Sequence, residues 1–545
     1  MQQLEDMIDE LFDENPILKL PFPYIYNQFC QIVTHSLLDT KEVPFSTLIP
    51  YAFIFNKVTN FTNHTLESCT DSMYEINQED FKHLFACANL NIVFPFIRHE
   101  IYSLTQEGET ESYIDYSSKD AETHELNDII VTQLSLPVIP ALERSPKTLA
   151  ENIRYRLIRG ESMDPLAYRE YIAAMYTNPT NTFIEADIVP DEFYTHIGFS
   201  SAEEFKRIRN AFVCVGQTYI DVSIMVNMYL AANEIYDSPL GNQLWQGLAM
   251  AKLKNSVLKE YILNLTKSSD EDYEKFAEFF FCSAGENTDL HNKFIPPFWQ
   301  IEDEIYFCPA IVPTLLGARN LLISIQNNKI KKKKYKYDNM ISNLFEPALL
   351  RRAKSHFEAH GFETAIEKDF EGGEIDLLAY CKKSHSIITI QAKATLYAES
   401  ARMAIRLGDR VLEGIDQTIR FDMLDKNSKE ALYKKAFPEI KNTEGVNHLR
   451  AILTNSGFGT TFSWEKLEEH NITPINCNIL RNILPHCESL PDLPQKVSQF
   501  IQRAKAEIEF DETTKVFDLP GHTIHQRHVE PLGMKKLFDA QYWGE

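Results

Sequence analysis

The stretch "GGEIDLLAYCKKSHSIITIQAKA", Gly372–Ala394, decides how the chain is read. Two short apolar runs flank a polar turn, as in a β-hairpin. Each run carries polar residues that a buried strand should not hold. Asp376 sits in the first, and Gln391 and Lys393 close the second. Side chains alternate faces along a strand. Glu374 and Asp376 therefore share a face, opposite Ile375, Leu377 and Ala379. Gln391 and Lys393 share a face, opposite Ile388, Ile390 and Ala392. If the two strands pair, Asp376, Gln391 and Lys393 converge at one point.

That combination has a chemistry. A carboxylate binds a hard cation such as Mg²⁺, which keeps several waters. The amide oxygen of Gln391 and the backbone carbonyl of Ala392 can add neutral oxygen ligands. The Lys393 ammonium can orient a water or stabilise charge on a phosphorane-like transition state. The set suits metal-assisted hydrolysis of a phosphodiester, with Mn²⁺ as a substitute cation.

Working outward, the expected order from 341 is helix, strand, strand, helix, strand, helix, strand. The first helix spans about 341–359 and ends at Gly361, which suits a left-handed cap. Glu346 lies on its apolar stripe with Leu349, Leu350, Ala353 and Phe357. An acid on a core-facing stripe costs free energy unless it binds something. Glu346 is either a further metal or water ligand, or an N-terminal cap helped by Pro347. Next come "EIDLLAY" and "SIITIQAKA", a helix over about 398–420, the strand "HLRAILTN", the helical turn "WEKLEEH" and the strand "ITPINCNIL". Strands alternating with helices indicate an α/β sheet covered on its faces.

"GEID" followed by an apolar strand ending in "QAK" resembles the PD-(D/E)XK nuclease superfamily. The match is best to its Mrr-like branch, where glutamine replaces the acid before the lysine. "AHGFE" before the acid strand, the short hairpin, "EGIDQTIRF" with Gln417, and the closing "AILTNSGFGTTFSWEKLEEHNITPINCNIL" carry the resemblance over about 340–488. It implies a restriction-endonuclease-like α/β domain with a central mixed β-sheet. It also implies catalysis by Asp376, Gln391, Lys393 and Glu346, and DNA as substrate in restriction, repair or defence.

The rest of the chain divides around this domain. Residues 1–325 read as mainly helical. "NNKIKKKKYKYDN", 327–339, carries six lysines between Lys329 and Lys336 and reads as a linker over 326–340. Alternatively Lys332 and Lys333 contact phosphate at the mouth of the next domain. The nuclease-like domain then covers 341–488 and a C-terminal extension 489–545. Segment 107–128 looks like an exposed connection, and "HTIHQRH" like a polar tail. Arg402, Arg406 and Arg410, at four-residue spacing, form either a phosphate-contacting ridge beside the site or a solvated face.

Composition bounds the rest. The net charge of −24 belongs to residues 1–330, with 23 basic and 47 acidic residues. Residues 331–490 are balanced at 24 and 22, so basic patches near the odd strands survive the overall acidity. The acidic region is better suited to a protein partner or a second copy than to DNA. The nine cysteines form no CxxC pair, which argues against zinc ribbons and disulfide frameworks. No signal peptide or unbroken membrane-length apolar run is expected, which favours a cytoplasmic protein without a membrane partner. The expected function is a Mg²⁺-dependent endodeoxyribonuclease. The rivals are an inert nuclease fold that binds DNA or a nucleoprotein, and an RNA-cleaving enzyme.

Overall fold

The computed structural model describes residues 2–40, 45–58, 78–134, 146–159, 165–178, 189–233, 249–283, 295–395, 401–440, 442–443 and 445–532. A mainly helical N-terminal region leads into an α/β region, as the patterning indicates. Its longest described helix, Ala202–Ala232, is capped by the Ser201 side chain. By length and composition it could cross a membrane, but most of its apolar window is buried inside the protein. Many aromatic residues of this region are core, although Tyr155 is exposed. Phe22, Tyr26, Phe55 and Trp299 pack ring against ring, Phe22 and Trp299 at 4.6 Å. A small mixed sheet is woven among these helices from Ala251–Lys254, Phe281–Ser283, Phe298–Ile301 and Glu304–Phe307.

The lysine-rich segment is not a free strap. Lys329–Lys334 is helical, and Asn328 caps it by accepting from the Ile330 and Lys331 N–H groups. Lys331 turns inward to the Glu278 carbonyl, and Tyr335 and Tyr337 are buried. These two aromatic anchors, interleaved with the lysines, hold the segment down.

The α/β region begins with α1 (Glu346–Ala359), β1 (Glu363–Phe370), β2 (Gly373–Cys381) and β3 (Ser386–Lys393). Then come α2 (Ala401–Asp422), α3 (Lys426–Ala436), β4 (Asn447–Thr454), α4 (Thr461–Glu469), β5 (Thr473–Asn476), α5 (Cys477–Ile483) and α6 (Asp492–Glu507). The sheet order is β5-β4-β3-β2-β1. β1, β2 and β3 are antiparallel, whereas β3, β4 and β5 are parallel, so the sheet is mixed. Leu378, Tyr380 and Ile387 pack with Phe421 of α2 and Leu432 and Tyr433 of α3. Leu377, Ala379, Ile388 and Ile390 share a core with the α1 stripe of Leu349, Leu350, Ala353 and Phe357. Gly361, with φ +81°, ends the chain's exit from α1, as the sequence suggests.

Several expectations need correction. β1 and α3 were not legible in the order derived from sequence. "ITPINCNIL" is a strand only to Asn476, whose side chain then accepts from the Ile479 N–H and starts α5. Segment 107–128 is no open connection: it holds strand Glu111–Tyr116 and the start of helix Lys119–Leu134, with Ala121, His124 and Glu125 buried. The C-terminal segment contains a hairpin, β6 (Glu509–Leu519) and β7 (His522–Leu532). This hairpin joins Tyr102–Glu107 and Glu111–Tyr116 in a four-stranded sheet. The histidines read as a polar tail are strand residues. His522 bonds Ser112 at 2.9 Å, and His525 stacks on Tyr113.

Candidate functional site

The β2–β3 ladder runs from Cys381↔Ser386 to Leu377↔Ile390 and stops there. Glu367, opposite Asp376 on the other side, has φ +50° and is missing from the β1–β2 ladder. Strand β2 therefore parts from β3 at Asp376, while its pairing with β1 skips one residue and resumes at Lys368↔Ile375. N–H groups two residues apart on a strand point the same way, so those of Ala392 and Ala394 lose their ladder partners together. Two carboxylates take them. Asp376 Oδ2 accepts from the Ala392 N–H at 2.6 Å, and Glu346 accepts from the Ala394 N–H. The acid strand and the first helix thus meet at the end of β3.

Glu346 is not a helix cap. The helical path runs through Tyr337–Met340 and a π-turn, Ile341–Phe345, directly into α1. Pro347 has no N–H to give back to the preceding turn, which suits a widened turn at this place. The Glu346 side chain reaches Arg410 of α2, Nη2 to Oε1 at 3.0 Å.

Gln391 and Lys393 are 1 % and 7 % exposed, so both belong to the interior. The Gln391 Nε2 donates to the Glu374 carbonyl at 2.6 Å. That carbonyl requires the nitrogen and leaves Oε1 as the other amide atom. Oε1 is buried without a hydrogen-bond partner. An orphaned acceptor costs about 1–3 kcal/mol, which a cation or donor would return. Lys393 Nζ donates to Gln417 Oε1 at 2.8 Å. Gly414, one turn before Gln417, lets α2 approach: a Cβ there would lie 3.2 Å from Lys393 Cε and from Ile452 Cδ1.

Burial pushes the Asp376 carboxyl up to about 6, opposed by the Ala392 N–H and by Lys393, with Glu346 adding to the rise. Burial also raises Glu346, against Lys393 and Arg410. Among the described residues, no group of three or more His, Cys, Asp or Glu side chains is placed to hold a metal ion. The donors at this point are two carboxylates and an amide oxygen. They fit a hard cation that keeps most of its waters, not one that needs a full cage of protein ligands. Ala392 already serves the site through its N–H.

The remaining residues divide. Gln417, expected to face nucleic acid, instead holds Lys393. Arg410 is paired with Glu346 and Glu413 and is not a free phosphate contact. Arg402, Arg406 and Lys333 are exposed. Lys332 lies 3.4 Å from Asp338 and over the Tyr337 ring at 5.9 Å, and Arg406 acts electrostatically on the same Tyr337. Lys332 and Arg406, far apart in sequence, thus both act on one buried tyrosine.

Sequence reasoning missed a second carboxylate cluster. Asp128, on helix Lys119–Leu134, accepts from the Phe458 N–H, from the Gly459 N–H at 2.9 Å and from Trp464 Nε1 at 3.1 Å. Glu125 accepts from the Thr461 N–H, and His124 meets Thr461 Oγ1 at 2.9 Å. These groups dock the N-terminal region on the loop between β4 and α4. Gly459 has φ +100°, and a Cβ there would fall 2.3 Å from the Gly408 nitrogen of α2. The glycines of "SGFGTT" were the available signal for a tight loop; its partner, more than 300 residues upstream, had none.

No protein-family model, curated protein or solved structure matches the chain.

Proposed function

We propose that the chain is a metal-dependent nuclease hydrolysing phosphodiester bonds in DNA. Its catalytic part would be a restriction-endonuclease-like domain of the PD-(D/E)XK superfamily, Mrr-like branch, over 341–488. One observation carries the reading. Asp376, Glu346, Gln391 and Lys393, from three elements, meet where β2 parts from β3, with an amide oxygen left unpartnered.

Asp376, with Gln391 Oε1, Glu346 and the Ala392 carbonyl, would hold Mg²⁺ or Mn²⁺. The bound cation supplies Lewis-acid stabilisation of charge on phosphate oxygens. The chain's own residues do the rest. The Ala392 and Ala394 N–H groups fix two carboxylates against one strand. Gln417 holds the Lys393 ammonium by a neutral acceptor, so its positive charge stays available to an attacking water or a developing phosphorane oxygen. Arg402, Arg406, Lys332 and Lys333 supply sequence-independent attraction for the DNA backbone. A cytoplasmic role in restriction or defence follows from this reading, with the acidic N-terminal region engaging a protein partner or a second copy.

The test is nicking of supercoiled plasmid by the full-length protein with Mg²⁺, Mn²⁺ or EDTA. Metal-dependent nicking, abolished by EDTA, is the expected result. A specific observation favours a second reading, an inert nuclease fold that binds DNA. Without a cation, Glu346 is already neutralised by Arg410, and Lys393 is already hydrogen-bonded. Metal-independent DNA binding without any cleavage would select that reading.

A further inference from the structure

Building on the nuclease reading, we propose that Arg410 is an exchangeable counter-ion: it occupies Glu346 until a divalent cation takes that carboxylate, and then turns to the phosphate of the substrate.

The argument begins with charge. Five ionisable side chains act on one another here, Asp376, Glu346 and Glu374 against Lys393 and Arg410. Three formal negative charges thus face two positive ones. Lys393 spends its hydrogen bond on the neutral Gln417. Arg410 alone makes a charge-to-charge hydrogen bond with a carboxylate of the site, at 3.0 Å. A divalent cation on Asp376 and Glu346 would turn this net negative charge positive, and an anionic substrate is what restores the balance. It would also compete with Arg410 for the same carboxylate, because the interaction of two cations a few ångströms apart is repulsive.

Arg410 is built to move. Its Nη1 also bonds Glu413, one turn further along α2, at 3.1 Å. Leaving Glu346 therefore does not leave the guanidinium unpaired. Its side chain is 36 % exposed, against 20 % for Glu346, so the arginine sits on the open side of the pair. The planar fork that grips a carboxylate also fits two phosphate oxygens. Arg402 and Arg406 precede it at four-residue spacing on the same helix and would already hold the neighbouring backbone.

The exchange gives Arg410 opposite effects on two ligands, which a structural salt bridge would not have. Mn²⁺ binding, read by the loss of the free-ion EPR signal, is measured for the full-length protein, Arg410→Met and Asp376→Asn without nucleic acid. Affinity for a fluorescent DNA duplex is then measured by anisotropy with Ca²⁺ present. Arg410→Met is expected to bind Mn²⁺ roughly three- to tenfold more tightly and the duplex weaker by a similar factor. Arg410→Lys keeps the charge and loses the fork. It should hold Mn²⁺ affinity within about twofold of wild type and still lose duplex affinity. The lysine variant decides the matter if the methionine variant is unstable. Unchanged or weaker Mn²⁺ binding in folded Arg410→Met, or full duplex affinity in Arg410→Lys, overturns the exchange. Wild-type Mn²⁺ binding that Asp376→Asn removes, with no response to Arg410, overturns the exchange alone. Absence of any Mn²⁺ binding that depends on Asp376 overturns the metal reading and the exchange with it.

Discussion

Among the described residues, two places hold pairs of carboxylates on backbone N–H groups, half-buried at the first and buried at the second, and they differ in what else is present. At the end of β3, Asp376 and Glu346 rest on the Ala392 and Ala394 N–H groups with Lys393 and Arg410 acting on them. At the loop before α4, Asp128 and Glu125 rest on the N–H groups of Phe458, Gly459 and Thr461. No cation pairs with either of these two among the described residues, and the Trp464 N–H completes the set. Burial pushes Asp128 up to about 6 and Glu125 up to about 8. Asp128, satisfied by three neutral donors, needs nothing further and behaves as a joint, whereas Glu125 keeps one buried oxygen, Oε1, without a partner. Carboxylates facing cations, beside an unsatisfied amide oxygen, are poised for exchange with a ligand.

Substitutions can break this comparison. The largest effect is expected on catalysis at the first place. Asp376→Asn and Lys393→Met should each slow plasmid nicking by roughly 10²–10³-fold with the melting temperature retained, measured by gel assay beside circular dichroism. Equal slowing by Asp128→Asn in a folded protein would erase the distinction between site and joint.

The next effect falls on stability at the second place. Asp128→Ala strips the acceptor from two backbone N–H groups and the Trp464 indole, about 3 kcal/mol in urea unfolding at roughly 1 kcal/mol per lost bond. A smaller loss than from Glu346→Ala would contradict the assignment of Asp128 as the joint.

The pH dependence sharpens the joint further. Glu125 and Asp128 have folded pKa values above those of the unfolded chain. Their stabilisation is therefore fully present below the unfolded values and is lost as pH rises through about 6 and then about 8. Stability should fall between pH 5 and 8, and Glu125→Gln should flatten that fall. His448 works in the opposite sense. Burial holds its pKa down to about 3, so its contribution is present above the usual imidazole range and lost as pH falls toward 3. A wild-type stability that rises from pH 5 to 8 as steeply as in Glu125→Gln would count against buried, protonated acids at the joint.

The smallest effect is positional. Gln417→Leu removes the acceptor that holds Lys393 and should lower kcat by about tenfold with KM little changed. Gln417→Glu should shift the pH profile of cleavage by charging the lysine's partner. A change confined to KM would return Gln417 to substrate binding.

The sequence showed some of this and hid the rest for physical reasons. Period-two alternation put Asp376, Gln391 and Lys393 on one face because each strand is locally self-consistent. The stripe on α1 likewise exposed Glu346 as an anomaly. What it could not show was the parting of β2 from β3, because no residue type in either strand marks where a ladder stops. Arg410 looked like one of three equivalent arginines; its partner on α1 is 64 positions away, beyond any helical spacing. Tyr335 and Tyr337 turned a lysine run into a packed segment, and six like charges masked two aromatic anchors. The segment that carries Asp128 was read as an exposed connection because the loop it docks on lies 330 positions away.

The central claim is that the parting of β2 from β3 is the catalytic centre. Single-turnover cleavage of supercoiled plasmid in Mg²⁺ by wild type, Asp376→Asn and Asp128→Asn, side by side at a temperature where all three are folded, tests it most directly. The account predicts cleavage by wild type and Asp128→Asn, and cleavage slower by roughly 10²–10³-fold for Asp376→Asn. Cleavage by Asp376→Asn at the wild-type rate would contradict it.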